Sequence, residues 1–140
     1  MEWKEALPLL QENHTGVAIS ITPKGRAHAT VVVTALLDGK VGFTSRGDTV
    51  KLKNIQRTGR ATVTVIKLDT RRYVTVEGPA SIEPWQDTKA HIKRLKDFYA
   101  VVGRPPKGTD EEFAKQMRDQ RRTVVLVTPE RLYGSLGGGA

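Results

Sequence analysis

Cysteine is absent from the 140 residues, which excludes disulfides, thiolate nucleophiles and cysteine-ligated metals. No apolar run approaches the roughly 18 residues that a membrane-spanning helix requires, and residues 1–10 lack the pattern of a signal peptide. The expectation is a soluble, cytoplasmic protein with no membrane partner. Histidine is scarce: His14, His28 and His91 stand without another His or carboxylate at metal-ligand spacing, so no metal site is expected. Neither a Gly-x-Ser-x-Gly elbow nor a phosphate-loop motif occurs. Any enzyme chemistry must therefore come from a bound cofactor. His28 lies within a strand pattern and could face a pocket, although a lone histidine is more often structural. Glu77, mid-strand between Val76 and Gly78, calls for a basic partner and reads as structural too.

Charge of one sign is what the chain has in excess. Lys and Arg number 23 against 15 Asp and Glu, for a net charge of +8. That balance points to an acidic partner: nucleic acid, anionic lipid or a polyanionic cofactor. At 15.5 kDa the chain fits one domain spanning residues 1–140, with a real core but little room for a large active site of its own. A pocket shared across a dimer would relieve that limit.

The cations concentrate in Thr44-Ser45-Arg46-Gly47-Asp48-Thr49-Val50-Lys51-Leu52-Lys53-Asn54 and onward through Arg57 to Arg60. This stretch separates two apolar alternating runs and reads as a short helix with Asp48 as its N-cap. A helix N-terminus attracts negative charge through its free amides and dipole, Thr44, Ser45 and Thr49 add hydroxyls, and the lysines supply point charges. The stretch has the composition of an anion pocket, and equally that of a solvated basic helix.

Around it, residues 1–10 carry Trp3, Ala6, Leu7 and Leu10 at helical spacing, with Pro8 predicting a short or kinked helix. Strand alternation covers 15–22, then 26–37 after the Pro23-Lys24-Gly25 turn, then 40–43 after the Asp38-Gly39 hairpin turn. Two more strands are predicted over 61–68 and 72–83, with Gly78-Pro79 marking a bend or edge. Residues 86–102 place Ile92, Leu95, Phe98, Tyr99 and Val102 on one helical face and His91 elsewhere. Thr109-Asp110-Glu111-Glu112 is a capping box for a helix turning Phe113 and Met117 inward. A last strand covers 123–128, and Gly137-Gly138-Gly139 should fray. The fold expected is mainly β (α+β): a six-stranded, mostly antiparallel barrel with three to four helices.

The order strand, Pro-x-Gly turn, strand, Asp-Gly hairpin, strand, Thr44-Ser45, Lys51-x-Lys53-Asn54-Ile55-x-x-x-Gly59-Arg60-Ala61 resembles the split β-barrel flavin and deazaflavin oxidoreductases related to pyridoxamine 5′-phosphate oxidase. Tyr73-Val74-Thr75-Val76-Glu77-Gly78-Pro79-Ala80 is similar to a strand of that family, and Arg121-Arg122-Thr123-Val124-Val125-Leu126 with Arg131-Leu132-Tyr133-Gly134 to its final strand and tail. The short chain looks most like the branch that uses coenzyme F420, a deazaflavin. The resemblance implies a homodimer with a shared cofactor pocket. Thr44, Ser45, Arg46, Lys51 and Lys53 would grip the phosphate region, with Asn54 supporting the turn. His28, Ala29, Thr30, Val31 and Val32 would line the ring, chiefly through backbone groups, and Met117, Arg121 and Tyr133 of the partner would close the pocket. The activity implied is hydride transfer from reduced F420 to an electron-poor double bond of a small-molecule substrate such as an enone, a quinone or biliverdin. No catalytic residue is assigned. FMN is the alternative cofactor. A deazaflavin carrier without turnover is a third reading. A single-strand nucleic-acid barrel is disfavoured, because only Phe43 and Tyr73 are strand aromatics available for stacking.

Overall fold

The computed structural model describes residues 1–137; the expected fraying at Gly138 and Gly139 lies outside them. Strict alternation in β1 (Thr15–Ile21) and β4 (Arg60–Lys67) buries one face of each, with Gly16, Ala18 and Ser20 inward on the first and Ala61, Val63 and Val65 on the second. The same period carries β2 (Ala27–Leu37), β3 (Lys40–Ser45), β5 (Arg72–Glu83) and β6 (Thr123–Val127). These six strands pair antiparallel in the order β4–β1–β2–β3–β6–β5, and β5 returns to β4, closing a barrel. The β2–β3 turn has φ of 55° at Asp38 and 71° at Gly39, the two positive values that the Asp-Gly pair was expected to adopt.

A seventh strand, β7 (Arg131–Ser135), was not expected. It lies outside the closed barrel and continues along the edge of β5 that β6 uses, after a bulge at 128–130. There Thr128 N–H donates to Pro79 O at 2.8 Å and Glu130 N–H to Glu77 O at 3.0 Å. Pro129 and Gly134 interrupt the alternation that would have revealed this strand. The bulge explains Gly78 in mid-strand: a Cβ there would stand 2.0 Å from the Thr128 carbonyl oxygen. Glu77 meets Arg131 of β7 at 3.7 Å, the basic partner its position called for.

Two apolar cores result. Inside the barrel, Phe43, Val63, Val65, Val74, Val76, Val125 and Val127 pack with Ala6, Leu9 and Leu10 of α1 (Trp3–Glu12) and with Leu52 and Ile55 of α2 (Val50–Thr58). Outside it, Ala35, Leu37, Val124 and Leu126 meet Leu95, Phe98, Phe113 and Met117 of α3 (Lys89–Val101) and α4 (Asp110–Gln120). Phe43 is wholly buried, so one of the two aromatics that a stacking surface would need is unavailable. No helix among the described residues is long and apolar enough to cross a membrane.

Helix α1, ten residues long, is the short helix expected and keeps Pro8 inside it; the lost amide bond and the ring clash are offset by burial of Ala6, Leu9 and Leu10. Two local expectations are corrected. The N-cap of α2 is Thr49 and not Asp48, and neither residue gives the helix a side-chain cap. Asp48 stays exposed, and the Thr49 hydroxyl lies 2.9 Å from Ser45 Oγ instead. His91 belongs to the buried face of α3, at 7% exposure, because the 91, 95, 98, 102 stripe faces the sheet. The Thr109 cap of α4 forms as expected, accepting from Glu112 N–H at 3.1 Å.

Gly78→Ala should destabilise the protein by about 3 kcal/mol or abolish folding, since the opposing atom is backbone and cannot yield. Urea unfolding followed by far-UV circular dichroism measures this; a loss under about 1 kcal/mol would show that the bulge tolerates a side chain.

Candidate functional site

The barrel is closed but not fully zipped. β3 pairs β2 only from Thr34↔Phe43 to Leu37↔Lys40, then turns away into α2. Residues 27–33 of β2 keep β1 on one side and have no strand on the other. The Thr34 N–H donates to His14 O at 2.8 Å, and its carbonyl accepts from the His14 ring at 2.9 Å, so Thr34 faces β1. By strand alternation Ala29, Val31 and Val33 turn their amides and carbonyls to the open edge.

At the far side of that gap the β3–α2 turn is pressed against the junction of α4 and β6. Gly47 N–H donates to Gln120 O at 3.1 Å, and a Cβ on Gly47 would lie 2.8 Å from both Cβ and O of Arg121. Ser45 pairs with Thr123 across the β3–β6 ladder. The Ser45 hydroxyl donates to Arg46 O at 2.9 Å, while Thr44 Oγ1 lies 3.2 Å from the Tyr99 hydroxyl of α3. Two distant segments thereby bring Lys51 beside Arg122, while Arg46 lines a hollow along α4 with Glu112, Lys115 and Asp119.

These cations have no acidic partner. Among the described residues, none of Arg46, Lys51, Lys53, Arg121 and Arg122 joins an ion pair. Partial burial, and then the Arg122 guanidinium, push the Lys51 ammonium below the ordinary lysine range. Arg122 Nε, a donor, is buried without a hydrogen-bond partner, as are His28 Nδ1 and Thr30 Oγ1 on β2 and the Gln120 Oε1 acceptor; Thr34 Oγ1 on β2 and Thr70 Oγ1 and Arg72 Nε at the β4–β5 turn share that state. Buried orphans cost stability, and the Arg122 donor beside Lys51 is one that an anion would satisfy. The first amides of α2, which lack a side-chain cap, add further donors. The donor set fits a phosphate.

The other expected site residues are placed differently. Val32 is buried in the barrel, and Val31 is 77% exposed on the outer face. Asn54 is 2% exposed and braces α2, donating to Ser20 Oγ at 3.1 Å and accepting from Arg57 Nη1 at 3.2 Å. Lys53 is exposed on α2. Met117 is 3% exposed in the outer core and cannot reach a ligand of its own subunit. Tyr133, 41% exposed, lies under the Arg131 guanidinium at 4.8 Å. It shares a row with β2: Tyr133, Thr75, Thr64, Val17 and Val31 are successive cross-strand partners over five strands of the outer face. Sequence reasoning missed Arg122, Tyr99 and His91; the parity of Arg122 against the strand that follows it was the available signal. A hollow of about 600 Å³ lies elsewhere, beside α3, and its Arg94 is already held by Glu83 and Asp38.

The family model for pyridoxamine 5′-phosphate oxidase matches residues 3–135; the chain belongs to that family. Its fold recurs in a conserved hypothetical protein of Mycobacterium tuberculosis, 22% identical, with a TM-score of 0.75 over 96% of this chain and 84% of that one. A structure described as an F420 reductase is 23% identical, with a TM-score of 0.67 over 90% of this chain and 94% of the other. An FAD-binding protein of Mesorhizobium loti is 15% identical, with a TM-score of 0.63 over 96% and 92%. No curated protein matches the chain.

Lys51 is charged at a place that disfavours its charge, so its protonated form costs the fold stability that is recovered as pH rises through its lowered pKa towards the unfolded value. Lys51→Gln should therefore raise the melting temperature of the ligand-free protein at neutral pH, by only about 1–2 °C because the group is partly exposed to solvent. Differential scanning fluorimetry checks this; a fall in melting temperature would show that Lys51 is held by a partner.

Proposed function

We propose that this protein is an F420-dependent reductase working as a homodimer, with the deazaflavin phosphate at the Lys51 end of the barrel and its ring along the free edge of β2. The observation that carries the reading is the set of unpaired cations and the buried Arg122 donor facing an open strand edge. A phosphate satisfies the donors, and a planar ring with carbonyl and N–H groups at its rim complements the exposed backbone of Ala29, Val31 and Val33. The F420 reductase of the same fold supports the assignment. The FAD-binding relative supports the second reading, FMN, since the phosphate donors suit both. F420 is favoured because Lys53, Arg46 and Arg121 remain unpaired beyond what one phosphate requires, and a polyglutamate tail would neutralise them.

Bound there in its reduced form, the deazaflavin supplies a hydride to an electron-poor double bond, and a proton from solvent or a nearby side chain completes the reduction. The chain's own contribution is positioning: Lys51 and the amides of α2 fix the phosphate, Ser45 braces the turn through Arg46 O, and the β2 edge orients the ring. Val17, Ile19, Ala29 and Val31 form an outward apolar patch, which a second copy of the chain would cover, carrying its Tyr133 towards the neighbouring ring.

Titration of the purified protein with F420 and with FMN, followed by fluorescence at low and high salt, tests the cofactor. Micromolar, salt-weakened binding of F420, about tenfold weaker in Lys51→Ala, is the expected result. Tight binding of FMN alone would transfer the reading to a flavin. Val31→Asp should convert the dimer to monomer in light scattering and reduce cofactor affinity with it. A wild-type monomer that binds F420 normally would remove the shared pocket.

A further inference from the structure

Arginines in this fold are handled in two ways. Arg94 is the structural kind: its Nε and Nη2 contact Glu83 at 3.1 and 3.2 Å, and Nη2 also reaches Asp38 at 2.8 Å. Arg122 is the opposite, and shares with Arg72 an Nε that is buried with no hydrogen-bond partner and the absence of any ion pair among the described residues. What sets Arg122 apart is its place, beside the Lys51 ammonium and the uncapped start of α2.

The backbone of Arg122, by contrast, is fully held. Its N–H donates to Met117 O at 2.9 Å, and Arg121 N–H donates to Arg118 O at 3.0 Å. The Thr123 hydroxyl donates to Arg121 O at 3.0 Å. The Arg122 carbonyl lies 2.8 Å from His91 Nε2; a carbonyl only accepts, so the ring proton sits on Nε2. His91 is itself fixed, 7% exposed, with its N–H on the Thr88 hydroxyl at 3.2 Å and its ring against the edge of Trp85. A backbone immobilised at every polar atom, bearing a side chain whose donor is left bare, is how a protein preorganises a ligand-binding group.

We infer that Arg122 contacts the anionic group of the ligand beside Lys51, and that His91 is its positioning residue, acting through the Arg122 carbonyl. The inference rests on the reading that a phosphate-bearing cofactor binds at this end of the barrel, and it names the residue that decides how strongly a phosphoryl group is held there. Two adjacent cations without an acid favour a ligand presenting two negative charges close together, either a phosphate dianion or a phosphodiester with a neighbouring carboxylate.

Isothermal titration of inorganic pyrophosphate, and separately of F420, into the full-length wild type and the variants Arg122→Gln, Arg122→Lys, His91→Gln and His91→Phe tests both parts. Arg122→Gln should weaken both ligands about tenfold and flatten the salt dependence. Arg122→Lys restores the salt dependence but only part of the affinity, and it guards against reading a folding defect as lost binding. His91→Gln keeps an N–H for the carbonyl and stays within about threefold of wild type, whereas His91→Phe loses about fivefold with the salt dependence unchanged. Wild-type binding of pyrophosphate by Arg122→Gln overturns the role of Arg122, and equal losses in His91→Gln and His91→Phe overturn that of His91. If pyrophosphate binds through Arg122 while F420 does not bind, the anion site stands and the cofactor reading falls. If F420 binds wild type and Arg122→Gln alike, the cofactor reading stands and the anion role falls.

Discussion

Gly47 has no side chain, and the backbone of Arg121 occupies the space that one would fill. That close approach welds the β3–α2 turn to the α4–β6 junction, and the rest of the site depends on it. Because the turn is pinned there, β3 leaves β2 after Phe43 and exposes the edge of residues 27–33. Because the junction is pinned there, Arg122 comes beside Lys51. A single steric allowance therefore produces both halves of a binding surface: an unpaired strand edge that can meet a ring, and a pair of cations that can meet its phosphate.

The charge distribution follows a consistent logic. Arg60, Arg94, Arg118 and Arg131 are matched with Glu130, Glu83 and Asp38, Asp87, and Glu77, mostly as exposed pairs that contribute little to stability. The cations at the open end of the barrel have no such partners. The fold thus tolerates mutual repulsion and a buried orphan donor at Lys51 and Arg122, while two apolar cores supply the stability that offsets them.

Helix α3 links the cores to the site. Leu95 and Phe98 anchor it on the outer face of the sheet, His91 reaches the Arg122 carbonyl, and Tyr99 reaches the Thr44 hydroxyl. The packing that buries the helix thereby sets the two strands that carry the cations. On the remaining outer face, the row from Tyr133 to Val31 is exposed at both ends, with Thr75 between them buried within the chain.

Period-two alternation and the Asp-Gly, Pro-x-Gly and capping-box signals were enough to locate the six barrel strands and the helices within a few residues, because each depends on local geometry and on one buried face. The concentration of cations in 44–60 was equally legible. Strand β7 was hidden, since Pro129 and Gly134 break its pattern and its pairing partner lies far back in the chain. The N-cap of α2 falls on Thr49, one residue after Asp48, and the Thr49 hydroxyl turns to Ser45 instead of the helix. His91 read as a surface residue on its own helix and became buried only when α3 met the sheet. Above all, the partnership of Lys51 with Arg122 joins residues on opposite sides of four intervening elements, and no pattern within either segment encodes it. Amino-acid order determined which segments form strands and where positive charge accumulates; only the closing of the barrel, which sets distant backbones in contact, decided which of those charges meet and which strand edge is left open.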